Sequence, residues 1–95
     1  MFAQVQSTTS ISGTISDPQG AAVVGADITL TDVSTSTSVT TTSNEAGRYI
    51  FPVVHPGVYT MTVNKTGFSV AKIANQNATI GTPLTLNVSL AIGST

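Results

Sequence analysis

The residues able to do chemistry are few, and the first is His55, the one histidine of the chain, set in PVVHPGVYTMTV at positions 52 to 63. A hydrolytic triad needs a base beside a nucleophile and a third group to orient it. One histidine among many hydroxyls fixes no such arrangement. Catalytic zinc takes three protein ligands, commonly with two or more histidines or cysteines, so a site here would draw on His55 and carboxylates alone. Proline at 56 restricts His55 to extended geometry, and Gly57 suits the positive φ of a type II turn. His55 is therefore read as the approach to a turn. The sequence assigns no catalytic residue, no metal ligand and no cofactor.

The four carboxylates are scattered. Asp17 opens the turn Asp17-Pro18-Gln19-Gly20, Asp27 and Asp32 flank one alternating run, and Glu45 falls in another turn. Calcium needs a crowd of oxygens in a defined loop, and no EF-hand spacing occurs. A glycosidase pair would want a cleft and aromatics facing the substrate, neither of which is visible. Tryptophan is absent, while Tyr49, Phe51 and Tyr59 sit where a core would want them. Carbohydrate binding stays as a reading without a residue in its support. Three matches to the glycosylation sequon, at Asn64, Asn77 and Asn87, are short enough to arise by chance in a threonine-rich chain.

Strands must position whatever these residues do, because the dominant period is two. In PLTLNVSLA, residues 83 to 91, Leu84, Leu86, Val88 and Leu90 alternate with Thr85, Asn87 and Ser89, as in a strand with one buried face. The same alternation runs through SISGTIS (Ile11, Ile15), ADITLTD (Ala26, Ile28, Leu30), RYIF (Tyr49, Phe51) and VYTMTV (Tyr59, Met61, Val63). SVTTTS at 38 to 43 and FSVAKIA at 68 to 74 are weaker strands, which makes seven and no helix. Gly13 interrupts a regular strand and so marks a bulge or the close approach of another backbone. The run STSTSVTTTS, 34 to 43, has high β propensity and almost no apolar face, and reads as a loop running into an exposed edge strand.

Turn chemistry falls between these runs. Asp17-Pro18-Gln19-Gly20 has the preferred occupancy of a type I turn, Asn44-Glu45-Ala46-Gly47 joins two strands, and Asn64-Lys65-Thr66-Gly67 can reverse the chain. Short alternating strands with turns at this spacing predict an all-β antiparallel sandwich or small barrel. Its predicted core is Ile11, Ile15, Ile28, Leu30, Phe51, Tyr59, Met61, Val63, Leu84, Leu86 and Val88.

Ninety-five residues make one domain, and without cysteine its core must suffice with no covalent staple. Three cations and four anions give a formal charge of -1 and no basic face, which argues against a nucleic-acid partner. The polar surface comes instead from 11 serines and 17 threonines. So uncharged a surface lacks the common guard against association and fits a secreted β protein better than a disordered linker, since the apolar positions are too regular for disorder. No apolar run is long enough to span a bilayer as a helix. Phe2-Ala3-Gln4 looks like the tail of a signal cleavage site, which would make the chain an exported one with Met1 in place of the removed signal; the alternative reading of this stretch is an ordinary flexible start.

The assembled pieces are Gly13-x-Ile15-x-Asp17-x-x-Gly20, Gly25-Ala26-x-Ile28-x-Leu30, Gly47-x-Tyr49-x-Phe51, and Pro56-Gly57-x-Tyr59 followed by Gly67-Phe68. Over about residues 9 to 91 they resemble the carboxypeptidase regulatory-like domain family, most nearly the copy at the mature N-terminus of TonB-dependent, Oar-like outer-membrane receptors of bacteria. The resemblance implies a transthyretin-like, seven-stranded antiparallel Greek-key sandwich without catalytic function. It implies an extended segment over 1–8, the domain over 9–92 and a tail over 93–95, the whole excised from a longer protein. Cna-B pilin domains carry a lysine in the first strand, where this chain reads SISGTIS; hydroxyisourate hydrolases need several histidines; intradiol dioxygenases need two histidines and two tyrosines on iron. One histidine and that first strand set all three aside.

The first expected function is an exported accessory module, structural or protein-binding, of a bacterial cell-surface or outer-membrane protein, placed in the periplasm, at the outer membrane or outside the cell. Its partner would be the parent receptor, a neighbouring domain or like subunits. The second is a filament subunit assembling by strand addition, at the edge over 34 to 43 or through the N-terminal segment 2 to 9. A carbohydrate-binding module is the third.

Overall fold

A computed structural model of the chain describes residues 8–93; Phe2-Ala3-Gln4, most of the N-terminal segment and the last two residues lie outside the described residues. Eight strand segments follow one another: β1 (Thr9–Ser16), β2 (Asp27–Asp32), β3 (Ser38–Thr42), β4 (Arg48–Val54), β5 (Gly57–Asn64), β6 (Ala71–Ala78), β7 (Leu84–Thr85) and β8 (Val88–Ser89). One sheet has the order β4-β1-β7, with β8 also on β1, and the other runs β3-β2-β5-β6. No helix among the described residues is long and apolar enough to cross a membrane.

The all-β sandwich is as expected, with one correction. PLTLNVSLA is two short segments, and both pair with β1 in parallel: Ile11 with Leu84, then Ile15 with Val88. Alternation reports which face is buried and is silent on strand direction, so the parallel sense was not readable. The two segments keep one register. Between them the Leu86 N–H donates to the Ser12 carbonyl at 2.8 Å, after which the Asn87 side chain takes over. Its Oδ1 accepts the Thr14 N–H at 3.0 Å and the Thr14 hydroxyl at 3.2 Å, where a regular ladder would use backbone. Counted as one interrupted strand, β7 and β8 make the expected seventh.

Gly13 is what lets this strand lie so near. A β-carbon there would overlap the Leu86 carbonyl oxygen, so of the two readings of this glycine the close approach of a second backbone is the right one. The same carbonyl accepts the Tyr49 hydroxyl at 2.7 Å, tying β4 to the last strand beneath β1.

Ile11, Ile15, Ile28, Leu30, Phe51, Tyr59, Met61, Val63 and Val88 are buried as expected, joined by Val23, Ala26, Tyr49, Val54, Ala78 and Leu90. Tyr49 packs its ring edge-on to Phe51 with centroids 6.0 Å apart. Leu84 and Leu86, expected in the core, are only partly buried, although Val88 further along the same interrupted strand is buried. A polar residue also enters the core. Ser43 is 4% exposed; its hydroxyl donates to the Val23 carbonyl at 2.6 Å and accepts the Ala26 N–H at 2.9 Å, fastening the approach to β2. Ser43→Ala strands both backbone groups, and we expect it to cost about 1–3 kcal/mol, read as a lower urea midpoint with unchanged slope. A midpoint equal to wild type would contradict this account of Ser43.

The turns use one device twice. Asp17 Oδ1 accepts the N–H groups of Gln19 and Ala21, both at 2.9 Å, and Asn44 Oδ1 accepts those of Ala46 and Arg48 at the same distance. Each turn then closes on a left-handed glycine, Gly20 at φ 84° and Gly47 at φ 74°. The turn at Gly57 differs from expectation. Its φ of 159° is extended rather than the roughly +80° of a type II turn, so Pro56 makes a bend between β4 and β5. The strand expected over 68 to 74 lies instead at Ala71–Ala78, and Phe68 only bridges Ile92. AKIANQNA has little alternation, and its pairing with β5 holds it extended.

Candidate interaction surface

His55 lies in the link between β4 and β5 with its side chain exposed, and its carbonyl accepts the Tyr59 hydroxyl at 2.7 Å. That bond secures the bend between β4 and β5. Asp32 lines the same small cleft, of about 110 Å³, with Val39, Val53, Val54 and Tyr59. Asp17, Asp27 and Glu45 are not brought to it, and among the described residues no three His, Asp or Glu side chains gather as metal ligands would.

The carboxylate of Asp32 has a local task. Its Oδ1 accepts the Ser34 N–H and hydroxyl, both at 2.8 Å, and the Thr35 N–H at 3.3 Å, so it caps the turn leading to β3. These bonds, the Ser34 hydroxyl first, hold its carboxyl below the usual aspartate range. The cap is therefore complete above that range and is lost as pH falls through the lowered value.

Tyr49 titrates in the opposite sense. Burial pushes its phenol from 10.0 up to about 12. The fold keeps the neutral phenol where the unfolded chain would ionise it, so its contribution is complete below pH 10 and is lost as pH rises through about 12. Urea midpoints should therefore fall across that window more steeply for wild type than for Tyr49→Phe. Parallel losses in the two proteins would exclude Tyr49 as the cause.

The surface that stands out is the side where β3 and β4 face each other. Towards one end lies a groove of about 590 Å³ whose lining includes Thr41, Thr42, Arg48, Ile50, Thr85 and Asn87, and towards the other the cleft of Val39, Val53 and His55. The groove is in the size range of small-ligand sites; its residues are mostly serine, threonine and asparagine with a single cation, and the surface they expose is more apolar than polar. Along this side Val39, Ile50 and Val53 stand 52%, 55% and 67% exposed. The run 34 to 43 marked β3 as an exposed edge, while the aliphatics of β4 on the same side were not legible. RYIF was read as ending at Phe51, whereas β4 continues through Pro52 to Val54.

Two sheets of short strands, closed by a last strand laid along the first, define a transthyretin-like β-sandwich domain. The chain belongs to the carboxypeptidase regulatory-like domain family, whose pattern matches residues 10–91. No curated protein matches it. Among solved structures, it is similar to the Bacillus anthracis TIE protein, with a TM-score of 0.72 and 16% identity over 90% of this chain and 17% of that one. It is similar to the group B streptococcus pilus 2b backbone protein, at 0.66 and 16% over 90% and 42%. It is also similar to the wild-type catechol 1,2 dioxygenase of Acinetobacter radioresistens, at 0.68 and 15% over 93% and 53%. The chain spans between 17% and 53% of these three proteins' lengths. At such identities the likeness is one of fold, and a fold shared with an oxygenase and a pilus subunit does not decide chemistry.

Proposed function

We propose that the chain is a non-catalytic accessory module of an exported bacterial protein, periplasmic, outer-membrane-associated or extracellular, and that it holds a larger protein against the β3/β4 side of its sandwich. The observation that carries this reading is the convergence on one side of an exposed edge strand with three exposed aliphatics, Val39, Ile50 and Val53. Exposed apolar groups gathered on one side suit a protein partner that brings apolar side chains to meet them. Family membership, the hydroxyl-rich and nearly uncharged surface and the resemblance of a pilus backbone protein support a structural role. The parent we propose is an outer-membrane receptor of the TonB-dependent, Oar-like type, on the strength of the motifs over 13 to 68.

Fractionation of the producing bacterium, followed with an antibody to the chain, should recover it with the envelope or the medium. Recovery with the cytosol would overturn the exported reading. Turnover of ester or peptide substrates that disappears in His55→Ala would overturn the non-catalytic one.

A further inference from the structure

Among the described residues four segments form the margins of the two sheets, and three of them carry features that hinder pairing with another strand. β4 contains Pro52 and the charged Arg48. β6 carries Lys72 and a bulge, where Ala74 and the left-handed Asn75, at φ 60°, oppose the single residue Thr60. The last strand is broken into two pieces of two residues each. β3 has none of these: SVTTT is unbroken and lies in an uncharged run from Val33 to Ser43.

The free hydrogen-bonding groups of β3 can be assigned. Asp32 N–H donates to the Thr37 carbonyl and Ser43 N–H to the Ala26 carbonyl. In an antiparallel ladder bonded pairs alternate along the strand, so Thr37, Val39, Thr41 and Ser43 bond towards β2. The N–H and C=O of Ser38, Thr40 and Thr42 are then directed outward. Their side chains are exposed on the outer face of the sheet, and Val39, half exposed, lies beside them.

We infer that β3 pairs antiparallel with the β3 of a second copy across a twofold axis through Thr40, joining two four-stranded sheets into one and giving a closed homodimer. In this register Thr40 faces its own copy and Ser38 faces the second copy's Thr42, and each facing pair exchanges both backbone bonds, about six in all. The outer face gains hydroxyl pairs of a kind that stabilises neighbouring strands. Charge permits the self-pair: an uncharged strand meets no repulsion from its own copy, and its outward serine and threonine side chains suit one another. A filament would need a second bare edge, and the described residues offer none, so assembly stops at two. The pairing needs no other protein, and its failure would leave the accessory role standing.

The test is light scattering behind size exclusion over a concentration series, on the full chain and three variants. Thr40→Pro removes an outward N–H while leaving the β2 ladder intact, Thr40→Lys sets two cations on the axis, and Thr62→Lys adds the same charge to the outer face of β5, away from the edge. Wild type and Thr62→Lys should pass from 9.7 kDa to twice that mass as concentration rises. Both Thr40 variants should stay at the lower mass throughout, with unchanged circular dichroism. A wild type that remains monomeric to millimolar concentration, or Thr40 variants that dimerise as wild type does, would overturn the inference.

Discussion

Gly13→Ala should be among the most damaging single substitutions in this domain, at about 3–5 kcal/mol or outright failure to fold. The added methyl is small, and the damage comes from where it lands. It would overlap the carbonyl of Leu86, a backbone atom that cannot swing away as a long side chain could. The strand that carries Leu86 must then leave β1, with Val88 and Leu90, 6% and 1% exposed, losing their places in the core. Uncovering a large apolar side chain costs about 1.5–3 kcal/mol. Gly20→Ala is the matched control: no atom lies within 4 Å of its β-carbon, so it carries only the strain of φ 84°. That strain should amount to about 1 kcal/mol. Urea denaturation of the two variants decides the matter, and a Gly13→Ala midpoint no lower than that of Gly20→Ala would contradict the close packing of β1 on the last strand.

The second large effect separates two positions that look alike in sequence. Ile28 and Leu84 each belong to an alternating apolar run, but Ile28 is fully buried in a strand with neighbours on both sides, whereas Leu84 is half-buried at a margin. Ile28→Ala should cost about 2–5 kcal/mol, with little room for the rigid sandwich to collapse into the space left. Leu84→Ala should cost less than half as much, since water already reaches part of its side chain. Equal losses in denaturant midpoint would mean that the last strand is packed as deeply as the centre of the sheet.

What could be read from the sequence follows from which forces leave a periodic trace. β1, β2 and β5 each bury one face and solvate the other, so Ile11 and Ile15, Ile28 and Leu30, and Tyr59, Met61 and Val63 announce themselves. The turns at Asp17 and Asn44 were legible because their bonds are local. β6 was misplaced because it is held by its partner rather than by a buried face. The parallel sense of β7 and β8 and the role of Asn87 as a bridge between strands arise from residues 73 positions apart. Ser43 carries no local signal of its buried bonds to Val23 and Ala26. The interaction surface was half legible: the exposed β3 run declared itself, whereas β4's place opposite it depends on how the two sheets stack.

The central claim is that this side of the sandwich, rather than the outer face of the β3-β2-β5-β6 sheet, meets a protein. The direct measurement is site-specific photocrosslinking in the producing bacterium, with the reactive residue placed at Val53 or Val39, and at Thr29 or Thr62 on the outer face of the β3-β2-β5-β6 sheet as controls. The account predicts discrete protein products from Val53 and Val39, and little or nothing from Thr29 and Thr62. Products concentrated on the outer face, or absent from all four positions, would contradict it.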